Sequence, residues 1–210
     1  PEAMMNVPTY SRWLEEQDHL PAYQALKRMM QYLQWQRPGP GHSVRWVLKT
    51  PHHQEYFDPL LQVFPKATIV HTHRDPLKTS ASFFSMVTHL QMIFSDEVDP
   101  NRVARHWLNK IENMARRTMA TRDRVEDRGF VDVSYYDLIK DPMPEVERVY
   151  DAAGAALGAE GRQAMEASRK VNRQHKYGKH KYSLADFGLT KDDVEPRIAA
   201  YRERFGVPYE

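Results

Sequence analysis

Residues 67–85, ATIVHTHRDPLKTSASFFS, constrain this chain more than any other stretch. A short apolar, β-branched run from Ala67 to Val70 ends in a polar turn, and Ala67–His71 reads as a strand. Arg74, Asp75 and Pro76 then lead into a helical pattern over Leu77 to Met92. Asp75 suits the N-cap and Pro76 the first helical turn. A strand that ends in Arg and opens into a helix is a place to hold a phosphate. The helix start offers unpaired N–H groups and a favourable dipole, and Arg adds a planar fork of donors. Thr79, Ser80 and Ser82 add hydroxyls. The plainer alternative is an ordinary strand-to-helix junction whose Arg pairs with a nearby carboxylate.

The rest of the chain repeats the alternation. Strands are expected at Val44–Leu48, Ala67–His71 and Phe130–Val133. Helical patterns fall over Arg12–Gln36 with a break near Pro21, and over Glu55–Val63, Leu77–Met92, Pro100–Asp127, Pro144–Ala156, Glu160–Val171 and Asp192–Phe205. Tyr23, Leu26, Met29, Met30 and Leu33 form a stripe expected to be core, and so do Trp107, Ile111 and Met114. Strands separated by helices predict an α/β fold, a parallel sheet flanked by helices, in one domain over 1–210. Three strands are few for such a sheet, and the chain opens at Pro1, so a preceding strand-and-helix portion is expected. In sheets of this kind ligands bind beyond the C-terminal strand ends. Those ends carry Lys49-Thr50-Pro51-His52-His53, then Arg74 with its hydroxyls, then Tyr135-Tyr136-Asp137.

Composition excludes several classes of protein. The chain has no cysteine, hence no disulfide framework, thiolate metal site or thiol nucleophile. No apolar run approaches the ~20 residues of a membrane span, and a cytoplasmic location is the expectation. The net charge is only +2, but Arg169, Lys170, Arg173, Lys176, Lys179 and Lys181 crowd a tract without acids. That tract predicts either an anionic ligand or a solvated basic loop. No glycine begins a GxxxxGK[ST] or GxGxxG pattern, so a complete P-loop is not present in this sequence.

Lys49 at a strand end can stabilise phosphate or sulfate charge. His52 or His53 can take a proton from a hydroxyl near neutral pH; the alternative is that His52 caps the next helix and His53 packs on the sheet. His71 and His73 share a strand face, but no carboxylate is placed by sequence to complete a metal set, and no metal is expected. Tyr135 or Tyr136 can stack on a base or simply cover the sheet edge.

Taken together, WVLKTPHH, FPKATIVHTHRDPLKTSASFFSM, VDVSYYDLIKDP and HKYGKHKYSLADFGL, in this order, resemble the PAPS-dependent sulfotransferase family, especially its bacterial branch. The resemblance implies a fold similar to P-loop nucleotide kinases and 3'-phosphoadenosine 5'-phosphosulfate (PAPS) as co-substrate, without a metal. It implies that Arg74 and Ser82, eight residues on, bind the 3'-phosphate, with Ser80 as the alternative hydroxyl. By the same resemblance Tyr136 lies on the adenine side, and Lys176, Gly178 and Lys179 close over the 3'-phosphate. Lys49 and His52, with His53 beside it, are similar to the segment that carries the base. The acceptor implied is a hydroxyl or amine on a small molecule, glycan or lipid. The family's N-terminal phosphosulfate-binding loop has no counterpart here, so the chain is expected to be N-terminally incomplete and inactive in transfer by itself.

Two other readings compete. One is a non-catalytic binder of a phosphorylated nucleotide or polyanion. The other is a nucleic-acid binder built on 169–181; it lacks a recognisable recognition helix or aromatic platform, and no nucleic-acid partner is expected.

Overall fold

The strand-to-helix junction read from residues 67–85 forms, with its strand starting and ending two residues later than expected. A computed structural model describes residues 2–37, 45–172, 176, 178 and 180–210. In chain order the elements are α1 (Pro8–Glu15), α2 (Leu20–Gln36), a 3₁₀ turn (Pro51–Glu55), α3 (Phe57–Val63), β1 (Ile69–His73) and α4 (Pro76–Met92). There follow α5 (Pro100–Arg124), β2 (Phe130–Ser134), α6 (Tyr135–Lys140), α7 (Pro142–Ala152), α8 (Ala159–Val171), a second 3₁₀ turn (Leu184–Phe187) and α9 (Lys191–Phe205). The strands β1 and β2 are parallel, with Ile69 opposite Phe130 and His73 opposite Ser134. The result is α/β, with helices packed around a parallel pair.

The expected strand at 44–48 is corrected. Val44 lies outside the described residues, and Arg45–Leu48 form no strand. Among the described residues the sheet has two strands. Trp46, Val47 and Leu48 are exposed, Val47 at 89%. The Arg45 guanidinium donates to the Ala153 carbonyl. An apolar run has the composition of a strand, but it becomes one only where a neighbour offers backbone donors and acceptors. None of the described segments does so here.

A second correction concerns α2. Its stripe is core only near the start: Tyr23 is buried and Leu26 packs against Phe57, Leu60 and Val63. Met29, Tyr32 and Trp35 are exposed. A third is α6. Tyr135-Tyr136 favours strand by propensity, yet the strand stops at Ser134, whose hydroxyl accepts from the Asp137 N–H at 3.4 Å.

The main core lies between α4, α5, the second 3₁₀ turn and α9. Phe84, Val87, Trp107, Leu108, Phe187, Val194 and Ile198 fill it. Capping holds the elements in place. Asp75 caps α4 and Asp99 caps α5. Thr190 and Asp193 form a reciprocal capping box on α9. Gly206 ends α9 with φ +58°, the left-handed cap that glycine takes without a Cβ penalty. This cap turns the last residues back toward the start of α4.

Candidate functional site

β1 delivers Arg74 and Asp75 to the sheet's C-terminal edge, and α4 starts there. Asp75 is 1% exposed. Its Oδ1 accepts from the Leu77 N–H at 3.0 Å, which is the N-cap bond. The same oxygen accepts from Arg202 Nη2 on α9 at 2.8 Å, and Oδ2 accepts from the Glu210 N–H at 2.9 Å. These bonds outweigh burial and hold its carboxyl below the usual aspartate range. The Asp75 N–H donates to the Tyr136 hydroxyl at 3.2 Å, so the end of β2 is tied to the start of α4.

Arg74 is half-buried. Its Nε and Nη2 donate to the two Glu210 carboxylate oxygens at 2.8 and 2.7 Å. Its guanidinium carbon lies 4.2 Å from the Tyr135 ring centroid. The carboxylate partner raised as the plainer alternative for this Arg is therefore present, supplied by the chain's last residue. Ser80 is 1% exposed, and its hydroxyl finds no hydrogen-bond partner among the described residues. Ser82 is partly exposed, one helical turn beyond the exposed Lys78. Among the described residues of the basic tract, Lys176 is exposed, and Gly178 has φ +101° with open space where a Cβ would project. Lys179 lies outside the described residues.

The segment expected to carry the base is built differently. Lys49 is exposed and makes no hydrogen bond or ion pair with the described residues. His52 Nδ1 lies 3.3 Å from Glu55 Oε1, and its side chain is 54% exposed. Glu55 is buried and reaches Lys110 Nζ at 3.5 Å. Lys110, also buried, bonds Glu2 at 3.0 Å. His53 is partly buried, with Nδ1 2.9 Å from the Tyr23 hydroxyl. Burial and the neighbouring His52 lower its pKa, which keeps the imidazole neutral near pH 7. Burial raises Tyr23 to about 12, so it stays a phenol. No hydrogen bond or ring contact among the described residues links this segment to Arg74.

One polar constellation escaped the sequence. His71 and His73 share a face as expected, and Asp132 of β2 stands opposite them. His73 Nε2 lies 2.7 Å from Asp132 Oδ1, and its Nδ1 lies 2.8 Å from the Tyr201 hydroxyl. Arg122 donates to both Asp132 oxygens at 2.5 and 2.8 Å. His71 lies 3.4 Å from Arg122 Nη1 and 3.3 Å from the Tyr201 hydroxyl. Burial pushes His71 down to about 3. The two histidines and Asp132 are close enough to hold a cation. Every imidazole nitrogen already has a partner, however, and Arg122 supplies the positive charge. The register of β1 against β2 makes this cluster, and register is not written in either strand alone.

A matching family model covers residues 1–158, and its description is the sulfotransferase family. The chain belongs to the sulfotransferase family. It is similar to the crystal structure of sulfotransferase STF9 from Mycobacterium avium, with TM-score 0.88 and 29% identity over all of this chain and 53% of that one. It is also similar to sulfotransferase STF1 from Mycobacterium tuberculosis H37Rv, with TM-score 0.80 and 33% identity over 95% of this chain and 50% of that one. The curated omega-hydroxy-beta-dihydromenaquinone-9 sulfotransferases Stf3 of Mycobacterium bovis and Mycobacterium tuberculosis are 29% identical over 114 residues, 51% of this chain and 28% of theirs. The chain thus spans about half the length of the solved relatives and, in the matched part, just over a quarter of the curated ones. No helix among the described residues is long and apolar enough to cross a membrane.

Proposed function

We propose that this chain forms the 3'-phosphoadenosine side and the base-bearing segment of an enzyme that moves a sulfuryl group from PAPS to an acceptor hydroxyl. The observation that supports this most is the junction after β1. Arg74, the capped start of α4 and Tyr136 meet at one sheet edge, an arrangement suited to a phosphate beside a nucleoside. In this reading Arg74 and Ser82 bind the 3'-phosphate, Ser80 being buried away from solvent. Lys176, Gly178 and Lys179 close over it, and Tyr136 lies on the adenine side.

PAPS supplies an activated sulfuryl group on a phosphate leaving group. The acceptor oxygen forms the new S–O bond as the bond from sulfur to the phosphate oxygen breaks, and that oxygen keeps the electron pair. The acceptor's proton passes to an imidazole, and Lys49 offsets negative charge on the transferring group. Of the two histidines, His53 is the better held: it is neutral, and in the tautomer whose Nδ1–H donates to the Tyr23 hydroxyl oxygen its Nε2 lone pair is left to take the acceptor's proton. The curated relatives carry an omega-hydroxylated menaquinone in their name; a lipid or small-molecule alcohol is accordingly the acceptor class we favour.

The test is calorimetry with 3'-phosphoadenosine 5'-phosphate (PAP) and with AMP. PAP is expected to bind the chain more tightly than AMP, and Arg74→Ala is expected to remove that preference. Equal losses for both ligands, or no binding of either, would overturn the reading.

A further inference from the structure

The anion site proposed above already holds an anion. Glu210 grips Arg74 through two charge-assisted hydrogen bonds of 2.8 and 2.7 Å. Two devices could look like this: a plug that an incoming phosphate must expel, or a brace that holds the guanidinium in place. The attachment of the last residues separates them.

The tail is fixed at points that do not involve Arg74. The Glu210 N–H is bonded to the buried Asp75 carboxylate at 2.9 Å. Arg202 Nη1 donates to the Val207 and Pro208 carbonyls at 3.2 and 3.1 Å. The Tyr209 ring covers the Arg202 guanidinium at 3.8 Å, and its hydroxyl donates to Glu195 at 2.8 Å. Val207 is buried. Arg202, itself 8% exposed, joins Asp75, Glu195 and the tail in one network. Expelling the strap would leave Asp75 and Arg202 short of partners in a buried site, which is costly. A plug should be attached weakly, and this strap is not.

Arg74 also keeps donors to spare. A guanidinium has five N–H groups in a fixed plane. Glu210 takes Nε–H and one Nη2–H, so the two on Nη1 and the second on Nη2 remain without a hydrogen-bond partner among the described residues. Tyr135 supports one face of the plane at 4.2 Å. An arginine held in this way surrenders less side-chain entropy when a phosphate binds.

We infer that Glu210 is a positioning residue of the nucleotide site: the C-terminal strap 206–210 braces Arg74 so that its Nη1 edge is fixed for a 3'-phosphate. The inference rests on the proposed role of Arg74. The strap makes α9 and the tail part of the anion site, although they lie far from β1 in sequence.

The experiment is calorimetry on the full chain with PAP and with AMP, for Glu210→Gln, Tyr209→Phe and Arg74→Ala. A purely structural loss moves both ligands together, so the readout is the PAP-to-AMP ratio, with circular dichroism as the check on folding. Glu210→Gln is expected to weaken PAP about 5-fold and leave AMP unchanged. Tyr209→Phe, which loosens the strap without changing charge, is expected to act in the same direction and less. Tighter PAP binding by Glu210→Gln would make the strap a plug and overturn the inference. An unchanged ratio in both strap variants, with Arg74→Ala still weakening PAP far more than AMP, would overturn it while sparing the phosphate reading. Equal losses of both ligands in Arg74→Ala would overturn both.

Discussion

The two arms of the candidate site are built in opposite ways. At the nucleotide arm, Arg74 and Asp75 are held by residues 127 to 136 positions away, through charge-assisted bonds that are buried at Asp75 and partly exposed at Arg74. At the base arm, His52 takes its partner from three residues along the chain, and Lys49 has none among the described residues. His53 is intermediate, tied to Tyr23 thirty residues earlier. The contrast matches the demands of the two tasks. Binding a dense anion rewards donors fixed in advance. A base needs one lone pair and room for an acceptor to approach.

The sharpest way to break this comparison is to cut the buried pair behind the nucleotide arm. Arg202→Met leaves Asp75 buried and without its guanidinium, and should cost about 3–5 kcal/mol. The urea midpoint reads this loss. A change below about 1 kcal/mol would mean that the arm is less tightly built than its bonds imply.

The next effect is on binding. Arg74→Ala removes charge-assisted bonds worth roughly 1.5–3 kcal/mol. PAP binding should weaken about 10- to 100-fold, with AMP little affected. His53→Ala should leave both nucleotides unaffected, which separates the arms by function as well as by construction.

The third effect is pH-dependent and belongs to the sheet beneath the nucleotide arm. His71 titrates near 3 when folded against about 6.5 when unfolded. Between these values the unfolded chain binds more protons, so stability rises with pH. This contribution is complete above about 6.5 and is lost as pH falls toward 3. Asp132, held far below the aspartate range against burial by Arg122 and His73, adds a loss of the same sign below about 3.9. Unfolding free energies measured from pH 7 to 4 should slope by about 1 kcal/mol per unit, and His71→Gln should flatten that slope. A flat wild-type profile would count against a neutral buried His71.

The smallest effect tests how the base arm is attached. The Thr118 hydroxyl on α5 donates to the Gln54 carbonyl at 3.1 Å. Thr118→Val should cost about 1 kcal/mol. Nucleotide binding should not change, because α5 reaches the two arms through different residues.

Much was legible in the sequence where the cause was local. Asp75 and Asp99 cap because a short carboxylate before a proline-led helix has its N–H partners within reach. The junction of β1 and α4, the helices from α3 to α9 other than α6, and the buried Trp107 follow from period and punctuation. The α2 stripe and the strand at 44–48 did not follow. Amphipathic spacing shows which side chains share a face, but not whether anything will cover that face. Met29, Trp35 and Val47 are apolar residues left in solvent.

By itself the sequence determined a strand-to-helix junction with an arginine at its mouth, helices of nearly the observed lengths, and the family resemblance carried by four ordered segments. The tertiary structure alone decided what the arginine touches. Glu210, Arg202 and Tyr209 had no visible tie to Arg74 or Asp75, because contacts across more than a hundred residues depend on how α9 packs on α4 and α5. Asp132 joined His71 and His73 for a related reason: parallel register pairs residues from strands 61 positions apart. Local rules place a side chain on an element, and packing chooses its partner.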